Sequence, residues 1–306
     1  MRRNYLTELD LSPDETMRVL DEARRLKSDR SRGVQLNSLA GKAVALYFEK
    51  PSVRTRVSFT LAARELGAEV VELGSHNTKV GHGEDLEDFA MVLNGYVHAL
   101  VARVFGQSTL DTLAKRATMP VINALSDERH PCQALADVMT ILERFGRIDD
   151  RVITFVGEGN NVATSLALLA ASLGAEVRVA SPVGYALPAW ALAQTEGLAG
   201  KVVPCVDPRQ AAEGAHVLVT DTWVSMGREG DAAALRAAFV DYRLDEALIA
   251  RARPEAIVMH CLPAVRGEEI TEAVMYGPRS AIWQEAENRL HVQKALLARL
   301  MGRHGG

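Results

Sequence analysis

Short apolar runs of strand length alternate with stretches of helical periodicity along almost the entire chain, and that alternation leaves few architectures open. Runs at 43–48, 69–73, 99–102 and 120–122 read as buried strands. After the polar Arg147-Ile148-Asp149-Asp150 the pattern resumes at 152–156, 177–180, 202–206, 217–220 and 256–259. Ser12-Pro13-Asp14-Glu15 opens the first helix: Ser12 caps, Pro13 suits the first turn and Glu15 completes a capping box. Met17, Leu20, Ala23 and Leu26 supply its apolar stripe. Strands separated by helices build parallel sheets with helical cover, so the expected fold class is α/β. A chain of 306 residues exceeds what one core commonly supports. The break near residue 147 gives an expected division into 1–146 and 147–284, each a mostly parallel sheet flanked by helices, with a closing helical segment at 285–306.

Charge and composition narrow the function. A net charge of -4 gives no electrostatic reason to expect nucleic acid or an anionic membrane as partner. The opening Met1-Arg2-Arg3-Asn4-Tyr5-Leu6 has no apolar core of the kind a signal peptide carries, and no apolar run approaches the ~18–20 residues that span a bilayer. The three cysteines, Cys132, Cys205 and Cys261, have no CxxC spacing, which suits a reducing cytoplasm rather than a disulfide framework.

Polar residues fall just beyond the expected strands: Ser52 to Arg56, Arg103, His130 to Gln133, Asn161, Asp221 and Cys261. Open α/β sheets bind ligands outside the carboxyl ends of their strands, so these positions mark a site. Ser52-Val53-Arg54-Thr55-Arg56 enters a helix with Phe59, Ala62, Ala63 and Leu66 on its buried face. A helix N-terminus with hydroxyls and a guanidinium fork is suited to phosphate, though a capped helix with solvated arginines is the plainer reading. Arg103 ends an apolar strand and needs an anionic partner. His130 and Gln133 open another helix and are placed to hydrogen-bond a carbonyl or amide; a satisfied structural histidine is the competing interpretation.

Gly157-Glu158-Gly159-Asn160-Asn161 resembles a dinucleotide loop only loosely, since Val162 stands at the third glycine position and no ribose-binding acid ends the next strand. Asp221 is suited to a substrate ammonium, and Ser225-Met226-Gly227 to a turn over a small ligand. His260-Cys261 invites a zinc interpretation, but adjacent residues rarely ligate one metal. A buried structural cysteine competes with it. No metal and no cofactor are expected.

Phe48 to Phe59 resembles the carbamoyl phosphate motif of the aspartate and ornithine carbamoyltransferases, and His130-Pro131-Cys132-Gln133 resembles their second signature. Asp221-Thr222-Trp223-Val224-Ser225-Met226-Gly227, His260-Cys261-Leu262-Pro263 and Glu285-Ala286-Glu287-Asn288-Arg289 resemble the ornithine branch in particular. The resemblance implies a carbamoyl phosphate-binding domain (1–146), an ornithine-binding domain (147–284), helices linking them, and a last helix (285–306) packing back on the first. It also implies a homotrimer, or a multiple of one, with active sites at subunit interfaces.

Carried over residue by residue, Ser52, Val53, Arg54, Thr55, Arg103, His130, Gln133 and Arg289 would bind carbamoyl phosphate. Asn161, Asp221, Ser225, Met226, Cys261 and Leu262 would take L-ornithine, and Arg103, His130, Asp221 and Cys261 would carry the chemistry. The implied reaction is transfer of the carbamoyl group to the side-chain amine, giving L-citrulline and phosphate. The alternative is a carbamoyltransferase using aspartate, putrescine or an acylated ornithine. A non-catalytic relative and a nicotinamide-dependent dehydrogenase are the readings from other classes.

Three positions depart from the family pattern. Val53 replaces a Ser or Thr whose main contribution is its backbone N–H, which valine keeps. Lys79 stands where ornithine enzymes carry glutamine, and the resemblance implies a loop there that reaches the neighbouring subunit's site, with Lys79 as a contributor to it. Phe89 replaces a small hydroxyl residue, and the sequence gives no reason for it.

Overall fold

The computed structural model describes residues 4–74, 83–225 and 228–302. Lys79 and Met226 therefore lie outside the described residues. The chain forms two compact units, one comprising Met1–Leu135 with Arg289–Gly306 and the other Ala136–Asn288.

The first unit runs α1 (Pro13–Ser31), β1 (Ala43–Phe48), α2 (Val53–Glu65), β2 (Glu69–Gly74), α3 (Leu86–Leu93), β3 (Ala99–Arg103), α4 (Gln107–Arg116) and β4 (Val121–Leu125). Helix α5 (Pro131–Phe145) starts in this unit and ends in the second. The second unit continues with β5 (Val152–Val156), α6 (Asn161–Ser172), β6 (Glu176–Ala180), α7 (Ala189–Ala193), β7 (Lys201–Cys205), α8 (Pro208–Ala212) and β8 (Val217–Thr220). It closes with α9 (Ala232–Phe239), α10 (Glu246–Ile249), β9 (Ile257–His260) and α11 (Glu272–Met275). Helix α12 (Ile282–Met301) begins there and returns to the first unit.

The fold is α/β, with two parallel sheets flanked by helices. The strand orders are β2-β1-β3-β4 and β7-β6-β5-β8-β9, every pairing parallel. In the first sheet the chain moves from β1 to one side and then crosses to β3 on the other. In the second it leaves β5 in one direction and returns to β8 in the other. The crevices at the carboxyl ends of β1/β3 and β5/β8 are thus the topological switch points, where doubly wound sheets receive ligands.

Local sequence explains most boundaries. The expected capping box is present at α1: Ser12 Oγ accepts the Glu15 N–H at 3.3 Å and Glu15 Oε2 accepts the Ser12 N–H at 3.1 Å. Val44 to Phe48 are all buried, as befits a strand covered on both faces. On α2, Phe59, Ala62 and Ala63 form the buried face, continued by Leu66 at the C-cap, and fully burying Phe59 contributes ~2 kcal/mol. At the far end of the chain, α12 is held to the first unit by the buried Lys294, paired with Glu65, and by Arg299, which donates to Glu15 at 2.9 Å.

The structure corrects one expectation. The run at 69–73 reads as a buried strand, but β2 is a sheet edge, and Glu69, Val71 and Glu72 are exposed; β7, likewise an edge, exposes Lys201 and Pro204. A short apolar run does not distinguish a central strand from an edge. Pro204, which lacks an N–H, fits the edge it occupies. The structure also accounts for Phe89. Its ring is buried and tilted against Tyr47, with centroids 5.6 Å apart, inside a cluster that includes Leu93, Val97 and Leu100. No helix among the described residues is long and apolar enough to cross a membrane.

Candidate active site

The first unit gathers its candidate residues at the β1/β3 switch point. Ser52 is the N-cap of α2; its Oγ accepts the Thr55 N–H at 3.3 Å and donates to Thr55 Oγ1 at 3.0 Å. Val53 and Arg54 occupy the first turn, where backbone N–H groups have no intrahelical acceptor. The helix end therefore offers directed donors and a partial positive charge. Arg289, from α12, is nearly fully buried and donates from Nη2 to Thr55 Oγ1 at 2.9 Å. Arg54 is exposed.

Arg103 is the last residue of β3, half-buried, and its carbonyl accepts the Glu49 N–H at 2.9 Å. His130 is buried at the start of α5, and its carbonyl accepts the N–H groups of Gln133 and Ala134 at 3.0 and 3.2 Å. Burial first, and then the positive charges of Arg289 and Arg103, push its imidazole pKa well below the usual histidine value. A neutral imidazole in this place donates a hydrogen bond without adding charge. Gln133 is completely buried. Cys132 plays a packing part: its thiol donates to the Asn123 carbonyl at 3.3 Å, and burial pushes it up to about 12.

The second unit centres on Asp221, which follows β8. Cys261 Sγ donates to Asp221 Oδ1 at 3.1 Å, and the Thr222 N–H donates to the same oxygen at 2.8 Å. Asn160 Nδ2 donates to Asp221 Oδ2 at 2.8 Å. Burial, followed by the negative charges of Asp221 and Glu285, raises the Cys261 pKa well above the ordinary thiol value. The sulfur is thus a thiol that donates, not a standing thiolate. Leu262 has a φ of 59° and a cis bond to Pro263; its N–H donates to His260 Nδ1 at 2.9 Å. Asn161 is the first residue of α6, and the Ser225 carbonyl accepts the Arg228 N–H at 3.0 Å.

Asp221, His260 and Cys261 bring potential ligand atoms within 4.8 Å of one another. His260 is poorly suited to a metal, because Nδ1 accepts from Leu262 and Nε2 faces Glu269 Oε1 at 3.1 Å. The glycine loop after β5 also has a local cause. A Cβ on Gly159 would stand 2.3 Å from the Leu187 nitrogen, so close backbone packing within the unit requires that glycine.

Residues 3–143 match the carbamoyl-P binding domain of the aspartate/ornithine carbamoyltransferases, and residues 149–300 match their Asp/Orn binding domain. The chain belongs to the aspartate/ornithine carbamoyltransferase family. It is 51% identical over 310 residues to the ornithine carbamoyltransferase of Acidothermus cellulolyticus, covering 100% of this chain and 99% of that one. Identity to the ornithine carbamoyltransferase of Methanosarcina acetivorans is 46% over 301 residues, covering 98% and 100%. Among solved structures, the ornithine carbamoyltransferase from Pyrococcus furiosus superposes with a TM-score of 0.94 at 43% identity, over 97% of this chain and 96% of that one. The corresponding structure from Gloeobacter violaceus gives 0.88 at 44% identity, over 99% of each chain.

Within this carbamoyltransferase fold, Ser52, Thr55 and Arg289 are joined by hydrogen bonds, and Arg103 and Arg289 both act on His130. Asp221 and Cys261 are joined in the second unit. Several supporting groups escaped the sequence reading. Asn160 donates a hydrogen bond to Asp221; an Asn directly before an apolar helix is a capping signal that points to it. Glu285 accepts the His260 N–H at 2.7 Å, and the buried Glu8 pairs with Arg129 beside His130. Nothing in local sequence links partners so far apart.

Proposed function

We propose that the chain is an enzyme that transfers the carbamoyl group of carbamoyl phosphate to the side-chain amine of L-ornithine, giving L-citrulline and phosphate. The observation that carries this is the Cys261 thiol hydrogen-bonded to the Asp221 carboxylate, an acid placed to receive an ammonium and a group placed to relay a proton.

On the donor side, Ser52, Thr55, Arg54, Arg289 and the N–H groups of Val53 and Arg54 would hold the phosphate. Arg103, neutral His130 and Gln133 would hold the carbonyl oxygen. As the amine attacks the carbonyl carbon, negative charge grows on that oxygen and then on the departing phosphate, and fixed donors aimed at both lower the barrier. On the acceptor side, Asp221, Asn161 and Ser225 would take the amino-acid end, with Met226 contributing from outside the described residues. Cys261 and Leu262 would lie beside the attacking amine.

That amine must be neutral to attack. With a lysine-like pKa of ~10.4, deprotonation at pH 7 costs about 4.6 kcal/mol. Cys261 would accept the proton from nitrogen while passing its own to Asp221, so no free thiolate is needed. Holding both substrates in attack geometry supplies a further share of the acceleration.

A homotrimer is part of the same proposal. Val53, Val57 and Leu61 lie four residues apart along α2 and are 77%, 50% and 37% exposed, and β2, the strand that follows α2, is a sheet edge. An exposed apolar stripe and an open sheet edge suit a neighbouring copy. Three cysteines with free thiols suit a reducing, cytoplasmic setting. The activity is tested by following citrulline and phosphate from carbamoyl phosphate and ornithine. Equal amounts of both are expected, and phosphate release without citrulline would refute the acceptor.

A further inference from the structure

We propose that Asn160 is a positioning residue, which aims the Asp221 carboxylate at the amino-acid substrate; this rests on the role given to Asp221 above. Asn160 ends the β5 loop and caps α6, its Oδ1 accepting the N–H groups of Val162 and Ala163 at 3.0 Å each. Its backbone is tied on both sides, with the N–H donating to the Glu158 carbonyl at 2.7 Å and the carbonyl accepting from Thr164 at 2.9 Å. With Oδ1 committed to the helix, the amide has one orientation, and Nδ2 is turned toward Asp221 Oδ2 at 2.8 Å.

Asp221 Oδ1 is already taken by Cys261 and the Thr222 N–H. Asn160 therefore fixes the remaining oxygen, and with it the plane of the carboxylate. The choice of side chain carries the inference. Ser, Thr or Asp would cap α6 about as well as Asn. Among these caps only the Asn amide carries acceptor and donor on separate atoms, Oδ1 held by the helix and Nδ2 reaching Asp221. Asn160 thus couples the β5/β8 switch point to the rigid start of α6.

The test compares Asn160→Ser and Asn160→Asp with the full-length enzyme. Both variants retain a capping oxygen, and both remove the amide Nδ2 that reaches Asp221 Oδ2. The thermal midpoint and the KM for carbamoyl phosphate are expected to stay close to wild type. In Asn160→Ser, kcat/KM for ornithine is expected to fall about 10- to 100-fold, the loss of a hydrogen bond to a charged group.

In Asn160→Asp, two carboxylates would face each other and share a proton, so the acid limb of the ornithine kcat/KM profile moves to higher pH. The other titratable and charged groups facing Asp221 and its thiol partner Cys261 are His260 at the end of β9, Glu285 on α12 and Asp137 on α5, and the loop of Asn160 also carries Glu158, paired with Arg228. All are common to the wild type and both variants, so a shift confined to Asn160→Asp belongs to the new carboxylate.

Wild-type ornithine kinetics in both variants would overturn the proposal. So would a joint rise of both KM values with a drop in thermal midpoint, which is the signature of a cap alone. Asp221→Asn is measured in parallel. If it retains wild-type kinetics, the role of Asp221 falls and the positioning role with it. If it is impaired while both Asn160 variants are intact, only the positioning role is lost.

Discussion

Arg289 Nη2 donates to Thr55 Oγ1 over 2.9 Å, although 234 residues separate the two in sequence. Through this bond the last helix delivers a buried guanidinium to the N-terminus of α2, where a first-turn hydroxyl and free backbone amides already favour an anion. Replacing Arg289 with Gln is expected to weaken carbamoyl phosphate binding about 10- to 100-fold, as loss of a charge-assisted hydrogen bond implies. Calorimetry measures it. Unchanged affinity would remove Arg289 from the phosphate site.

Cys261→Ser keeps a hydroxyl near Asp221 but replaces the thiol with a poorer proton relay. Turnover is expected to fall about 100-fold or more, in the range of general acid–base effects, with carbamoyl phosphate affinity nearly intact. A loss of phosphate-side affinity would mean that Cys261 serves structure instead.

Activity is expected to rise toward alkaline pH, because the ornithine side chain must lose a proton before it attacks. The initial-rate profile at saturating carbamoyl phosphate tests this. A flat profile between neutral pH and about 9 would contradict the proposed proton economy.

His130 adds a pH dependence of stability with a definite sign. Burial, Arg289 and Arg103 hold its folded-state pKa well below the unfolded value of ~6.5. Below that value the unfolded chain binds a proton that the folded chain refuses, so stability is full above ~6.5 and falls as pH drops. His216, also lowered by burial and by Arg253, acts in the same direction. Thermal midpoints recorded from pH 8 down to 5 should decline less steeply in His130→Gln than in wild type.

Phe89→Ser introduces the small hydroxyl residue of the family pattern but removes a ring packed on Tyr47. A loss of about 3–5 kcal/mol is expected, as for other large-to-small core changes, with per-molecule activity preserved. Denaturant unfolding and active-site titration separate the two effects.

Much of the fold was legible because strand-length apolar runs and helix caps are local signals. β1, β5 and β8 begin and end where the apolar runs at 43–48, 152–156 and 217–220 do. The edges were not legible: β2 and β7 contain the same Val-rich runs as central strands, and only pairing reveals which strand lacks a neighbour. Phe89 illustrates the same limit, since it lies on α3 and its partner Tyr47 on β1, 42 residues earlier in the chain. At the site, Ser52, Thr55, Asp221 and Cys261 stood out as polar residues after strands. Asn160 did not, because its value comes from being held by α6 while facing Asp221.

The central claim is the identity of the acceptor. The most direct measurement presents the enzyme with carbamoyl phosphate and, separately, ornithine, aspartate, putrescine and N-acetylornithine, following the ureido product. Rapid turnover with ornithine alone is the expected result. Faster turnover with any of the other amines would contradict the roles given to Asp221 and Ser225 and leave only the phosphate side standing.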